Sequence, residues 1–320
     1  MSRVLNESSS CKNTSAPERT AQSHTGTRTP RPNALGRTTS LDMSNPLDNL
    51  SEPRLKPLIK WPGGKRWLLN ELLPLIQHPN GRYYEPFVGG GAVFFGLRPK
   101  KATLSDVNIE LINLYKQLRD DPTRLLKTVS QFKNSESEYY RLRESSPKTD
   151  VARAARLLYL TRLSFNGIYR VNRQGQFNVP YGATQRSEVC DANHLFEISR
   201  ALQRIKLLGL DFECATSDAK AGDTVYFDPP YSVAYGVSGF LKYNDNIFSW
   251  ADQIRLRDHA LKLGRRGVRV FISNADHESI TSLYKGFTQR TVSRFSTIAA
   301  SNKHRRVVTE LLLSIGAESK

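Results

Sequence analysis

The run Thr224–Phe227 followed by Asp228-Pro229-Pro230-Tyr231 constrains the fold more than any other stretch of the chain. Thr224, Val225, Tyr226 and Phe227 have the β-branched and aromatic character of a buried strand. Pro229 and Pro230 fix two φ angles and lack the N–H a ladder needs, so the strand must stop there. Asp228 then stands at a strand's carboxyl end, where open α/β sheets hold their ligands. The turn brings together a carboxylate, a free carbonyl and the Tyr231 ring. That set suits gripping a planar base by its exocyclic amine and stacking on its face. A plain strand-ending turn with a packed tyrosine is the alternative this stretch leaves open.

Strand and helix patterns alternate elsewhere in the chain. Residues 66–76 place Trp67, Leu68, Leu72, Leu73 and Ile76 at helical spacing. Residues 83–88 read as a strand, Gly89-Gly90-Gly91 as the turn after it, and Ala92–Leu97 as the next helix. Ala102–Ser105 reads as a second strand ending at Asp106, with a helix over 108–118. Such alternation predicts a Rossmann-like, doubly wound parallel sheet of the α/β class. The sheet pattern resumes at Val225. A helix follows over 249–263, with Ser249 and Asp252 in capping-box spacing, then strands at 268–272 and Val307–Ile315. Between the two sheet regions, residues 120–210 read as a mostly helical insertion, strongest at 152–163. Within it, 165–182 predicts a basic, aromatic β-hairpin turning near Gln174-Gly175.

Residues 1–56 are rich in Ser and Thr over most of their length and show no apolar period, which predicts a disordered extension; Met43 is a candidate start. The net charge is +17, and residues 1–56 carry eight Lys/Arg against five Asp/Glu, so +14 belongs to the rest. That excess points to a polyanionic partner, nucleic acid first. No apolar run approaches the roughly 20 residues of a membrane span. Cys11, Cys190 and Cys214 are widely spaced, which predicts no metal site and a reducing, cytoplasmic compartment. None sits in a setting that would activate a thiol, as cytosine-C5 chemistry requires.

Four pieces carry the candidate chemistry. Lys60-Trp61-Pro62-Gly63-Gly64-Lys65 precedes a helix, and its glycines let backbone approach a ligand. A phosphate loop is the rival reading, but the Walker spacing is absent. The second piece is Glu85-Pro86-Phe87-Val88-Gly89-Gly90-Gly91. The third, Asp106, can accept from both hydroxyls of a ribose or simply cap the next helix. The fourth is the Asp228 turn.

In this order, and with Ser105-Asp106-Val107-Asn108, these motifs resemble those of the Dam-type (D12 class) DNA adenine-N6 methyltransferases over about residues 58–315. The resemblance implies a catalytic domain from 57–119 and 211–320, with 120–210 as an inserted target-recognition domain. It implies S-adenosylmethionine as cofactor, held by Trp61, Lys65, Phe87, Gly89, Gly91, Asp106 and Asp228, with Asp218 as a partner for its adenine ring. Asp228, Pro229, Pro230 and Tyr231 would be catalytic. Double-stranded DNA would be the partner, contacted by Lys60, Phe165, Asn166, Arg170, Arg173, Pro180, Lys303, Arg305 and Arg306. At Phe165 the relatives place a Tyr, so the stacking face is kept and the hydroxyl lost. A monomer in solution, site-specific methylation of adenine N6 and a GATC target are further expectations of the likeness. RNA adenine, a protein amide, or DNA binding without catalysis are the rival functions.

Overall fold

Among the described residues, one sheet has seven strands, β1 (Tyr83–Glu85), β2 (Ala102–Ser105), β3 (Lys206–Leu208), β4 (Thr224–Phe227), β5 (Arg269–Ala275), β6 (Thr288–Phe295) and β7 (Val307–Ile315). Their order is β3-β2-β1-β4-β5-β7-β6. The computed structural model describes residues 54–76, 79–172, 174–183, 189–232, 248–295 and 307–316. The extension read at 1–56, the Met43 start, Arg173, Lys303, Arg305 and Arg306 therefore lie wholly or almost wholly outside the described residues.

β1 to β5 pair in parallel. β7 runs antiparallel between β5 and β6. The chain winds from β1 outward through β2 to β3, and from β4 outward to β5. The strand order thus reverses between β1 and β4, and the crevice at that switch point lies at the carboxyl ends of both.

Alternate residues of each strand face opposite sides of the sheet. Tyr83, Tyr226, Phe271 and Leu312 enter one core, and Tyr84, Val225, Phe227, Ile272 and Leu311 enter the other. Both faces are covered, which is why Thr224–Phe227 is buried at every position and reads as an unbroken apolar run.

The helices are α1 (Leu69–Ile76), α2 (Ala92–Leu97), α3 (Ile109–Asp120), α4 (Pro122–Val129), α5 (Glu136–Glu144), α6 (Asp150–Leu163), α7 (Ala192–Leu202), α8 (Phe212–Ala215), α9 (Trp250–Arg265) and α10 (Glu278–Leu283). α1 to α7 pack into the first core through residues such as Leu72, Phe95, Leu114, Leu125, Tyr139, Leu158 and Ile198. α8 to α10 close the second through Phe212, Leu256 and Ile280. The spacing of Ser249 and Asp252 is realised as a full capping box at the start of α9. Among the described residues, no helix is long and apolar enough to cross a membrane.

The region 120–210 departs from its expected outline in two ways. Its helices share one continuous core with the sheet residues Tyr83, Leu104 and Tyr226, so no separate core marks either boundary. The sheet also resumes inside that range, at Lys206–Leu208. The arms of 165–182 meet through the isolated antiparallel bridge Val171–Phe177, and Tyr181 bridges to Ser164 just before the segment. At the tip Asn172 N–H donates to Gln176 O at 2.8 Å and Gly175 N–H to Asn172 O at 3.0 Å.

Asp223, 4% exposed, pins the start of β4 to the start of β1. Its Oδ1 accepts from Arg82 N–H at 2.7 Å and its Oδ2 from Lys220 N–H at 3.0 Å. Asp223→Ala strands both amides and is expected to lower the unfolding free energy by about 2–4 kcal/mol. Urea unfolding of the two proteins measures this; an unchanged midpoint would show that water replaces the carboxylate.

Candidate active site

The prolines end β4 where the sequence requires, and the next side chain, Asp228, turns into the crevice of the switch point. Its Oδ1 lies 2.8 Å from Lys65 Nζ and accepts from Ser273 Oγ–H at 2.9 Å. Lys65 is only 3% exposed. It also donates to Gly63 O at 2.8 Å and lies 3.8 Å from Glu310 Oε1. Ser273 comes from β5, and Glu310 from β7, where it pairs in register with Ala275. Lys65 Nζ also sits 5.3 Å from the Tyr231 ring centroid, a cation–π contact that holds the ring beside the carboxylate.

Glu85 ends β1 in the same enclosure and accepts from Tyr83 O–H at 2.8 Å. Two carboxyl groups, Asp228 and Glu310, thus flank one ammonium, and Glu85 lies near Asp228. Burial holds the Asp228 carboxyl above its ordinary value, and the charge and hydrogen bond of Lys65, with the Ser273 hydroxyl, oppose that shift only in part. Glu85 lacks a cation. Burial, only partly offset by the Tyr83 hydrogen bond, pushes it up to about 8. At neutral pH Glu85 is therefore a neutral acid, which leaves the Lys65 charge to Asp228 and Glu310.

The glycine turn after β1 joins the loop after β2. Asp106 Oδ2 accepts from Gly89 N–H at 3.1 Å and Oδ1 from Asn108 N–H at 2.9 Å. Burial raises the Asp106 carboxyl, and these two amides oppose the shift. Asn108, not Asp106, caps α3, accepting from the amides of Glu110 and Leu111. Gly89 has φ +46°, and a Cβ there would lie 2.8 Å from Trp61 Cδ1. A residue with a side chain would therefore push the Trp61 ring off the turn.

Val107, Ile109 and Leu210 leave apolar side chains open to solvent beside Asp106, at 61%, 62% and 43% exposure. Phe87 packs with Phe212 at 5.6 Å and Phe248 at 5.7 Å between ring centroids. A side-chain-free turn, a carboxylate and an apolar flank at adjacent strand ends match the polar and flat parts of a nucleoside. The residues present fit S-adenosylmethionine.

Asp218 does not join this group. It lies past α8 beside Lys206, the first residue of β3, at 3.8 Å, with its side chain 57% exposed. That is the amino-terminal side of the sheet, because α8 carries the chain back from the carboxyl end of β3. The acid at that carboxyl end is Asp211, which caps α8 and pairs with Arg255 at 2.9 Å. Its signal was present in the sequence, since 207–211 is an apolar run ending in an acid, like 102–106 and 224–228. Ser273 and Glu310 were also missed. Each is a polar residue inside an apolar strand, the cue by which they could have been found.

The 165–182 segment adjoins the loop of Lys60 and Trp61. Trp61 stacks on Tyr169 at 4.3 Å, with the rings 17° apart. Lys60 Nζ donates to Asn166 O at 3.5 Å. Phe165 is 54% exposed, and Asn166, Arg170 and Pro180 are exposed with it. Arg170 is held by Asn178, through Nε to Oδ1 at 2.9 Å and Nη2 to O at 3.3 Å. Pro180 O accepts from Phe165 N–H at 2.9 Å.

Comparison with known proteins gives the same direction. The D12 class N6 adenine-specific DNA methyltransferase family matches residues 61–298. A type II methyltransferase of Lactococcus lactis subsp. cremoris is 40% identical over 270 residues, 81% of this chain and 95% of the relative. A type II methyltransferase of Methanocaldococcus jannaschii is 35% identical, covering 81% of this chain and 98% of its own. A DNA adenine methylase of Vibrio cholerae is 31% identical, covering 80% and 95%.

The Glu85 proton makes stability depend on pH. The folded protein keeps a proton that the unfolded chain releases above about 4.5. The stability linked to it is whole below that pH and falls away as pH rises to about 8. Glu85→Gln is expected to lose less melting temperature than the wild type between about pH 5 and about pH 8. Parallel melting curves across that window would refute the assignment.

Proposed function

The chain belongs to the D12 class of N6 adenine-specific DNA methyltransferases, and from that premise we propose that it methylates adenine flipped out of a short specific site in duplex DNA. GATC is the proposed site, from the likeness of 165–182 to the family's target-reading hairpin. The observation that carries the reading is the Asp228 carboxyl, 2.8 Å from the Lys65 ammonium in a crevice at the switch point.

An adenine amine is a poor nucleophile because its lone pair is shared with the ring. Asp228 Oδ2 forms no hydrogen bond among the described residues, so it has room to accept one amine N–H. The Pro229 carbonyl takes the other. Two acceptors on the amine return electron density to nitrogen and aim its lone pair away from them. Pro230 fixes the turn, and Tyr231 stacks on the ring and holds it in line. S-adenosylmethionine supplies an electrophilic sulfonium methyl when bound. Trp61, Phe87, the Gly89–Gly91 turn and Asp106 would hold it, with Lys65 at the boundary between donor and acceptor.

Extruding the base costs a few kcal/mol. The exposed Phe165 ring offers a stacking face to the opened duplex, and Lys60, Asn166, Arg170 and Pro180 are exposed with it. We assign reading of a guanine edge to Arg170, whose plane Asn178 already orients.

Tritiated methyl donor offered with plasmid DNA, RNA and protein tests the substrate class. Label is expected in DNA adenine alone, and label confined to RNA or protein would overturn the reading. Asp228→Ala is expected to slow methylation by ~100-fold or more. Arg170→Ala is expected to lose about 1–3 kcal/mol of discrimination at one base of the site, read by sequencing methylated DNA from expressing cells.

A further inference from the structure

We propose that Ser273, with Tyr226 behind it, is a positioning residue that ties Asp228 Oδ1 to the protein and reserves Oδ2 for the substrate amine. The inference rests on the methyl-transfer reading above and assigns a role within it to two side chains that touch neither donor nor base.

Ser273 and Tyr226 are both fully buried, at 0% and 1% exposure. They share a sheet face, because Tyr226 pairs in register with Phe271, two residues before Ser273. The hydroxyls lie 2.8 Å apart. Ser273 has a single proton and directs it to Asp228 Oδ1 at 2.9 Å. At the Ser–Tyr contact, therefore, Tyr226 is the donor. Burial raises the Tyr226 phenol far above its ordinary range, so it stays a donor at any working pH. The chain of protons has one direction, Tyr226 to Ser273 to Asp228, and each donor polarises the next.

The geometry at Asp228 gives this chain its consequence. Lys65 and Ser273 both approach Oδ1, one from the loop before α1 and the other from β5. Two donors converging from different elements on one oxygen fix the rotation about Cβ–Cγ. Oδ2 then has a single position relative to the Pro229 carbonyl, so the two acceptors for the amine are set as a pair. With Lys65 alone, the contact is a single point on a flexible stem, and the carboxylate can turn to present either oxygen.

The ionisable groups facing Asp228 are Lys65 from the loop, Tyr83 and Glu85 from β1, Tyr226 from its own strand, Tyr231 from its own turn and Glu310 from β7. Losing the Ser273 hydroxyl removes a group that favours the ionised carboxylate and leaves the Lys65 charge in place. The acid limb of the rate profile should therefore move to higher pH without the enzyme losing all activity at neutral pH.

Single-turnover methylation, with donor and DNA saturating, measures this across pH for Ser273→Ala, Ser273→Thr and Tyr226→Phe. Ser273→Ala is expected to slow the turnover by ~10- to 100-fold, the range for a hydrogen bond to a charged group. Its acid limb should move up, with donor and DNA dissociation constants unchanged. Ser273→Thr should restore most of the rate, and Tyr226→Phe should move both readouts less and in the same direction. Should Ser273→Ala not fold, Ser273→Cys keeps the shape with a weaker donor and carries the same expectation. A wild-type rate and acid limb in these variants would overturn the inference, as would a loss confined to donor or DNA binding. Wild-type protein that leaves DNA adenine unlabelled overturns the functional reading as well. A labelling wild type with an indistinguishable Ser273→Ala overturns this inference alone.

Discussion

The buried ion pair between Lys65 and Asp228 is the contact on which the rest of the crevice depends. Removing either partner leaves an uncompensated charge in a region of low dielectric, which costs about 3–5 kcal/mol. The fold meets that demand from several directions. Gly63 O takes a second ammonium proton, Glu310 approaches from the antiparallel end of the sheet, and Ser273 adds a neutral donor. Glu85, which would add a further negative charge near Asp228, stays protonated instead. The loop before α1, the turn after β4 and strands β5 and β7 are thereby gathered on one charge.

The parts of this arrangement visible in the sequence are those that local chain physics dictates. Thr224–Phe227 and Ala102–Ser105 emerged with their ends in place because both faces are buried and an acid or a proline stops the run. β3 was hidden because three residues, Lys206–Leu208, sit between helical patterns and resemble a helix end. β6 was hidden because its sequence, TQRTVSRF, is mostly polar, as suits the sheet's outer position beside β7. Asp218 was misplaced for a related reason. Sequence gives its place between two strands, but not that α8, just before it, carries the chain back toward Lys206 at the start of β3. Ser273 and Glu310 acquire meaning only when β5 and β7 are laid beside β4.

The helices of 120–210 continue the sheet's own core, so 165–182 is mounted on the same core as the crevice. Tyr139 O–H donates to Val179 O at 3.0 Å and Tyr181 O–H to Asn134 Oδ1 at 2.8 Å, which fastens the returning arm to the helices beneath. The excess of positive charge belongs to residues 57–320, while the 165–182 segment is anchored locally.

Trp61 lies between Gly89 and Tyr169, so three positions far apart in sequence form one column of indole, phenol and bare backbone. This column divides the 165–182 segment by its tolerance of change. Below Tyr169, substitutions disturb the turn that faces Asp106. Beyond it the tip is unencumbered: Gln174, Gly175 and Gln176 are exposed, and a Cβ on Gly175 would meet nothing within 4 Å. The architecture therefore gives the tip a freedom to vary that the residues packed against Trp61 do not share.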